Sequence, residues 1–209
     1  MDTILRLSQI SRRTSDPVQK PFALVENHWR ELQKRARIPA RDDIRPDAIA
    51  TALPSTFIVK RVAPGVARIR VAGQKVQDLI GMDVRGMPLS SVIRPEDQAT
   101  FAVHLESAFS DLAVVALPLV CAATLWKQEI HGQILLLPLA DNKGDVTRVL
   151  GVIGFDSNVS LRNRPIQIAA AKPIRHEPLV RKRGPRVRIT KKPDATNGRP
   201  ALRLVINNV

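Results

Sequence analysis

The sequence predicts an α+β domain: a five-stranded antiparallel sheet with a helical crossover between its second and third strands. Residues 66–81 (VARIRVAGQKVQDLIG) begin with the alternation of a half-buried strand, break at Gly73 and continue with helical spacing. Gly81 ends this short helix at a position that suits a left-handed C-cap. Three further apolar segments follow a longer helical segment, and Asp-Asn-Lys-Gly at 141–144 predicts a hairpin turn between the last two.

Two helices are predicted before the first strand. The apolar residues of the first helix lie at i, i+3, i+7 and i+10, the spacing of an amphipathic helix. They are Phe22, Val25, Trp29 and Leu32. This helix ends before Pro39. A second, short helix is predicted between Asp43, which can cap it, and Pro54, with Pro46 in its first turn.

Five strands and one long helix complete the predicted domain. The predicted strands are 57–62, 66–72, 114–121, 129–139 and 148–155. The long helix opens at Pro95, and its buried face extends to Leu112. Pro118 cannot donate to a ladder, so the third strand is predicted to lie at a sheet edge. The apolar run RVLGVIGF of the last strand favours a central position.

The charge of the chain changes sharply at residue 156. Residues 157–209 hold 13 Lys and Arg against two acids, whereas residues 1–156 hold 20 bases and 17 acids. The Pro- and base-rich segment after residue 156 has no apolar periodicity, which is typical of disorder. We therefore predict a flexible leader at 1–21, a folded domain at 22–156, and a basic, mostly disordered tail at 157–209.

The motifs of the predicted domain resemble a known family. They include P-x-R-x-D-I-x-P from Pro39 and L-L-P-L, followed by R-x-L-G. The matching residues are Trp29, Pro39, Arg41, Asp43, Ile44, Pro46, Ile49, Leu53, Pro54, Arg70, Ala72, Gly73, Leu79, Ile80, Gly81, Gly86, Leu136, Leu137, Pro138, Leu139, Arg148, Leu150 and Gly151. On these residues the chain resembles the small stand-alone bacterial PAS proteins with a Trp-containing N-terminal helix. The resemblance implies a PAS fold over 22–156 and a regulatory, non-enzymatic role.

The sequence predicts a protein of a reducing compartment. Cys121 is the only cysteine, which excludes an internal disulfide framework. We interpret Cys121 as a small buried hydrophobic residue rather than as a flavin-reactive thiol. No apolar run approaches the ~18 residues that span a membrane, and the N-terminus lacks the apolar core of a secretory signal. We therefore expect a cytoplasmic location.

The sequence gives little support for catalysis, a metal or a cofactor. It contains no phosphate-binding glycine loop, no dinucleotide-binding glycine motif and no nucleophile elbow. His28, His131 and His176 are scattered without metal-ligand spacing. His104 lies on the long helix, where haem-binding PAS domains place an axial ligand, but a histidine at the rim of the apolar face is the favoured interpretation. We predict a non-enzymatic protein with no catalytic residues, no metal and no cofactor.

Two sets of residues are candidates for binding. A ligand pocket between sheet and long helix would be lined by Phe101, Leu105, Leu119, Ile134 and Val152, although ordinary core packing is the favoured interpretation. The candidate interaction residues are Trp29, Arg181, Lys182, Arg183, Arg186, Arg188, Lys191 and Lys192. The tail cations could contact nucleic acid non-specifically or an anionic surface, or serve only for solubility.

The predicted function is a PAS-type signalling or regulatory module that acts through protein–protein contacts. Its partner would be another protein or a second copy of the chain. Two alternatives remain at this point. One is a nucleic-acid-associated regulator that binds through its basic tail, and the other is a PAS domain that senses a small ligand.

Overall fold

The computed structural model describes residues 19–33, 38–123, 125–157, 161–162 and 164–179, and an antiparallel sheet lies at its centre. The strands are β1 Thr56–Ala63, β2 Val66–Ala72, β3 Ala113–Cys121, β4 Ile130–Ala140, β5 Val146–Phe155, β6 Ile166–Ile168 and β7 Arg175–Pro178. Their order is β2-β1-β5-β4-β3-β6, with β7 also paired to β3. The five predicted strands are confirmed, and β5 is central as its apolar run indicated.

Within the described residues, three α-helices and four 3-10 helices accompany the sheet. They are α1 Gln19–Gln33, α2 Gln74–Ile80 and α3 Gln98–Ser110, with 3-10 helices at Arg41–Asp43, Asp47–Ser55, Leu89–Val92 and Pro95–Asp97. The helix predicted between Asp43 and Pro54 is thus two 3-10 segments, a tighter geometry that is used in short pieces. Gly81 has a φ of 83° and closes α2 with a bond from its N–H to the carbonyl of Gln77, as predicted.

The sheet buries apolar side chains on both faces. The inner face packs against α2 and α3, and its cluster includes Phe57, Val59, Ile69, Phe101, Leu105, Leu117, Leu119, Ile134, Leu136, Val149 and Ile153. The outer face packs against α1 and the 3-10 helix at Asp47–Ser55. Its cluster includes Phe22, Val25, Trp29, Ile49, Val114, Leu135, Leu137, Leu139, Leu150 and Val152. Alternate residues of a strand thus enter different clusters.

The prediction that the third strand is an edge strand is wrong. β4 pairs with one side of β3, while β6 and β7 pair with the other. The proline is tolerated because β7 pairs with residues 113–116 and β6 with residues 119–121. Pro118 lies between these two ladders, and its carbonyl accepts the N–H of Ala169 at 2.9 Å. The missing N–H of Pro118 therefore interrupts no ladder.

The predicted boundary at residue 156 is also wrong, because β6 and β7 belong to the folded unit. That unit ends at Leu179, whose N–H donates to the carbonyl of Leu112 at 3.1 Å. Strand pairing uses backbone groups, so a polar, basic sequence does not prevent it. The rest of the predicted tail, residues 180–209, lies outside the described residues, as do residues 1–18 of the predicted leader.

An ion network attaches β7 to α1. Arg30 donates to both carboxylate oxygens of Glu177, at 3.1 and 2.7 Å, and also to Glu26 at 2.9 Å. Arg175 of β7 donates to the second oxygen of Glu26 at 2.8 Å. The hydrogen bonds from Arg30 lower the pKa of Glu177. Arg30 of α1 and Arg175 of β7 are thus neutralised by carboxylates within the domain.

Candidate functional site

The predicted ligand pocket is occupied by closely packed side chains. Phe101 and Leu105 of α3 meet Leu119 of β3 and Ile134 of β4, and none of the four is more than 1% exposed. All four belong to the single apolar cluster of the inner face. This arrangement fits the interpretation of the four residues as core packing.

The fifth predicted pocket residue, Val152, lies on the wrong face. Val152 pairs with Leu135 and belongs to the outer cluster, whereas its neighbour Ile153 pairs with Ile134 and faces α3. The strand is apolar on both faces, so its sequence has no alternation from which the inward residues can be identified. A shift of one residue exchanges the faces of a strand.

Cys121 belongs to the inner cluster, and His104 lies on α3 outside it. Cys121 is fully buried, and its burial raises the pKa of its thiol, while the charge of Arg164 lowers it by a smaller amount. Its interpretation as a small buried residue is confirmed. His104 is partly buried on α3, and its pKa is lowered by burial and then by the charge of His176. The neutral imidazole is therefore favoured at neutral pH.

His28 and His131 each make a separate contact. His28 of α1 is buried, and its Nε2 accepts the backbone N–H of Arg45 at 3.2 Å. His131 Nε2 lies 3.1 Å from a carboxylate oxygen of Glu129. Within the part of the chain that the structure describes, no three His, Cys, Asp or Glu residues could hold a metal ion together.

Trp29 is a core residue, so its predicted role in surface interaction is wrong. Its side chain is fully buried beneath α1, and its indole Nε1 donates to the carbonyl oxygen of Pro138 at 2.9 Å. The amphipathic stripe correctly placed Trp29 on the apolar face of a helix, but that face packs on the outer side of the chain's own sheet. The predicted interaction residues Arg181, Lys182, Arg183, Arg186, Arg188, Lys191 and Lys192 lie outside the described residues.

The second tryptophan occupies the opposite environment, which the sequence patterns do not predict. Leu125 and Trp126, in the loop that joins β3 to β4, are 87% and 88% exposed. We call these two residues the apolar tip. Large apolar side chains at this level of exposure are typical of contact sites when they are adjacent and held in place. A tryptophan between two predicted strands, in a chain with only two, was the available sequence signal.

A buried arginine holds the base of this loop. Arg164 is 8% exposed, and its Nη2 donates to the carbonyls of Ala122 at 2.8 Å, Gln128 at 3.0 Å and Cys121 at 3.4 Å. These carbonyls flank the apolar tip on both sides. Charge-assisted hydrogen bonds to both arms of the loop fix the position from which the tip projects.

The two most specific motif segments meet on the outer face. The N–H of Ala140, after the L-L-P-L run, donates to the carbonyl of Pro39 at 2.9 Å. Arg41 of the first motif and Arg148 of the second then line one open depression of about 420 Å³. Both arginines belong to the two motifs, but the sequence alone predicts no chemistry for them.

Among the described residues, no helix is long and apolar enough to cross a membrane. A family model described as PAS domain (PAS_5) matches residues 19–154. A comparison with curated proteins finds no match.

The solved structures that this chain matches include three PAS or light-oxygen-voltage domains. A light-oxygen-voltage domain studied with a flavin analogue is 19% identical, with 54% of this chain and 84% of that one covered and a TM-score of 0.36. A PAS domain from Colwellia psychrerythraea is 14% identical, with 54% and 95% covered and a TM-score of 0.37. The light-oxygen-voltage domain of the blue-light photoreceptor Aureochrome1 is 15% identical, with 54% and 88% covered and a TM-score of 0.37.

Proposed function

The chain belongs to the PAS domain family, and we propose that it is a non-enzymatic, cytoplasmic signalling module that contacts a protein partner through its apolar tip. The observation that carries this proposal is the 88% exposure of Trp126 beside an equally exposed leucine. Tryptophan is enriched among the residues that dominate binding energy at protein interfaces, because its large ring buries much apolar area when a partner covers it.

The setting of the tip supports a contact role. Arg164 holds both arms of the loop, so fewer degrees of freedom are lost when a partner covers Leu125 and Trp126. Arg164 is only 8% exposed, and a buried guanidinium is costly unless its N–H groups are hydrogen-bonded. Its Nη2 donates to three carbonyls of this loop. The buried charge thus supports the position of the tip.

The packed inner face favours this function over the sensing of a small ligand. The four pocket candidates on the inner face are buried in one apolar cluster, without a polar group among them to orient a ligand. The scattered histidines and the buried thiol of Cys121 likewise support a non-enzymatic role.

A cross-linking experiment tests the proposal. A photo-cross-linking amino acid is placed at the exposed Lys127, next to the tip, and at the exposed Lys75 of α2 as a control. We expect a discrete cross-linked protein product from position 127, and loss of that product when Trp126→Ala is added. Its mass distinguishes a second copy of the chain from another protein.

The Trp126→Ala variant must retain the stability of the parent, because the Trp126 ring that the substitution removes is already exposed to water. An unchanged melting temperature will show this. Cross-linking from position 127 that persists in Trp126→Ala, or equal products from positions 75 and 127, would exclude the tip as the contact site.

A further inference from the structure

Three cations lie side by side on the outer face of the sheet. Lys60 of β1 is directly opposite Arg68 of β2 on one side and Arg148 of β5 on the other. Their neighbours Val59, Ile69 and Val149 belong to the inner cluster, so the three basic residues point outward. We call these three residues the basic row.

In the part of the chain that the structure describes, the basic row has no neutralising partner. Like charges directly opposite each other in a sheet are destabilising. Among the described residues, Lys60 has no hydrogen-bond or ion-pair partner, and Arg68 donates to a neutral group, the carbonyl of Gly86, at 2.7 Å. Arg148 makes no side-chain hydrogen bond within that part of the chain, and its charge acts on Asp141. The fold therefore keeps adjacent positive charges that it does not need for its own stability.

One end of the basic row opens into the polar depression. Arg148 belongs to both, and the depression is also lined by Arg41, Asp42, Asp141, Asn142 and Lys143. Its volume of about 420 Å³ is that of a site for a small molecule rather than for a single ion. The bond from Ala140 to Pro39 holds the Arg41 segment beside the β4–β5 turn.

The two carboxylates of the depression are engaged within the protein. Asp42 accepts from Arg41 Nη1 at 3.2 Å. Asp141 accepts the N–H groups of Lys143 at 2.9 Å and Asp145 at 3.1 Å, and the hydroxyl of Thr147 at 3.3 Å. These bonds lower the pKa of Asp141 and orient its carboxylate towards the turn. Lys143 and Arg148 remain as cations without an ion-pair partner among the described residues.

We propose that the depression and the basic row form a binding site for a small phosphate-bearing ligand. Arg148 supplies a planar guanidinium that can donate two parallel hydrogen bonds to one phosphate group, and Lys143 supplies a mobile point charge beside it. Lys60 and Arg68 extend the positive surface for a second anionic group of the ligand. The site lies on the outer face of the sheet, on the side opposite α3.

The charge pattern favours phosphate over a carboxylate. A carboxylate carries one charge, whereas phosphate carries up to two charges and more acceptor oxygens, and pyrophosphate spans several cations. Four basic residues arranged along three strands and a turn match the more highly charged group. The ligand is either an inorganic phosphate compound or an organic molecule that carries a phosphate group.

Calorimetric titration of the full chain tests the site with inorganic pyrophosphate, ribose 5-phosphate and acetate at constant ionic strength. We expect binding of a phosphate compound and none of acetate. Stronger binding of ribose 5-phosphate than of inorganic pyrophosphate would identify an organic ligand, and the reverse an inorganic one. Arg148→Gln should weaken binding by about tenfold or more, as for loss of a charge-assisted pair.

Lys75→Gln is the matched control, because it removes one exposed positive charge from α2, outside the basic row. Backbone amide NMR of the same samples locates the ligand, with shifts expected at residues 41–42, 60, 141–143 and 148. If Arg148→Gln does not fold, Lys143→Gln in the exposed turn replaces it. Equal weakening by Lys75→Gln, shifts confined to residues 180–209, or no binding of any phosphate compound would overturn the proposal.

Discussion

Trp29 Nε1 donates a hydrogen bond to the carbonyl oxygen of Pro138 over a sequence separation of 109 residues. The bond joins the N-terminal helix to the L-L-P-L strand on the outer face of the sheet. It satisfies the single polar group of a side chain that is otherwise buried among apolar residues. Two elements of the family resemblance are therefore parts of one contact.

The first prediction concerns this contact. Trp29→Ala should lower the free energy of unfolding by about 3 kcal/mol, because it leaves a cavity under α1 and an unpaired carbonyl. Urea denaturation measures the loss. Trp126→Ala is the control, since the other tryptophan is 88% exposed. Equal stabilities of the two variants would contradict the placement of Trp29 in the core.

The second prediction concerns the glycine of R-x-L-G. Gly151 is opposite Phe57 on β1, and a Cβ at position 151 would lie 2.0 Å from the phenyl ring. Gly151→Ala should therefore destabilise the fold by about 1–3 kcal/mol through overpacking. The cost should shrink in a Phe57→Leu background, because the smaller side chain frees space. A double-mutant cycle measured by thermal unfolding checks this, and strict additivity would refute the steric explanation.

The third prediction concerns pH. Burial, and then the charge of Arg45, lowers the pKa of His28 below its ordinary value of about 6.5. The unfolded chain then binds more protons than the folded one near this pH, so stability should fall as pH decreases through about 6.5. His28→Gln should reduce this slope in melting temperatures measured between pH 8 and pH 5. Part of the pH dependence should remain in the His28→Gln variant, because the pKa of His104 is lowered as well. Identical slopes for parent and variant would exclude His28.

The fourth prediction concerns the attachment of β7. Arg30→Gln removes both bonds to Glu177, whose side chain is 45% exposed. The effect on global stability should be small, within about 1 kcal/mol, because solvent screens such pairs. Hydrogen exchange at residues 175–178 should nevertheless accelerate, since a short strand that loses its ion pairs should open locally more often. Lys20→Gln at the start of the same helix is the control. Unchanged exchange at β7 would show that the backbone ladder alone holds it.

The fifth prediction concerns the basic tail. Residues 180–209 hold nine Lys and Arg against one acid, and binding to duplex DNA would engage phosphates without reading sequence. If about five bases engage, the slope of log affinity against log salt should be on the order of −4. The deletion must begin at residue 180, because removal from residue 157 would also remove β6 and β7. Absence of binding at low salt, or binding retained without the tail, would exclude this role.

Local patterns in the sequence were sufficient for most elements of the domain. Strand alternation at 66–72, the left-handed glycine at position 81 and the stripe that includes Trp29 each report the local environment of a few consecutive residues. The structure confirms the glycine and the stripe, and it confirms the alternation over residues 66–70, whereas Val71 is 49% exposed. Such signals are reliable where one face of an element is buried and the other is exposed, because the sequence then alternates with the period of the element.

Tertiary structure decided the features that depend on residues distant in sequence. Ile153 rather than Val152 faces α3, because a strand buried on both faces has no alternation to read. β7 joins the sheet through backbone bonds and ion pairs with α1, neither of which is visible in a basic segment read alone. The basic row likewise exists only once the register aligns Lys60 with Arg68 and Arg148 from three strands. Composition determined the total charge of the chain, and pairing across the sheet determined where that charge is concentrated.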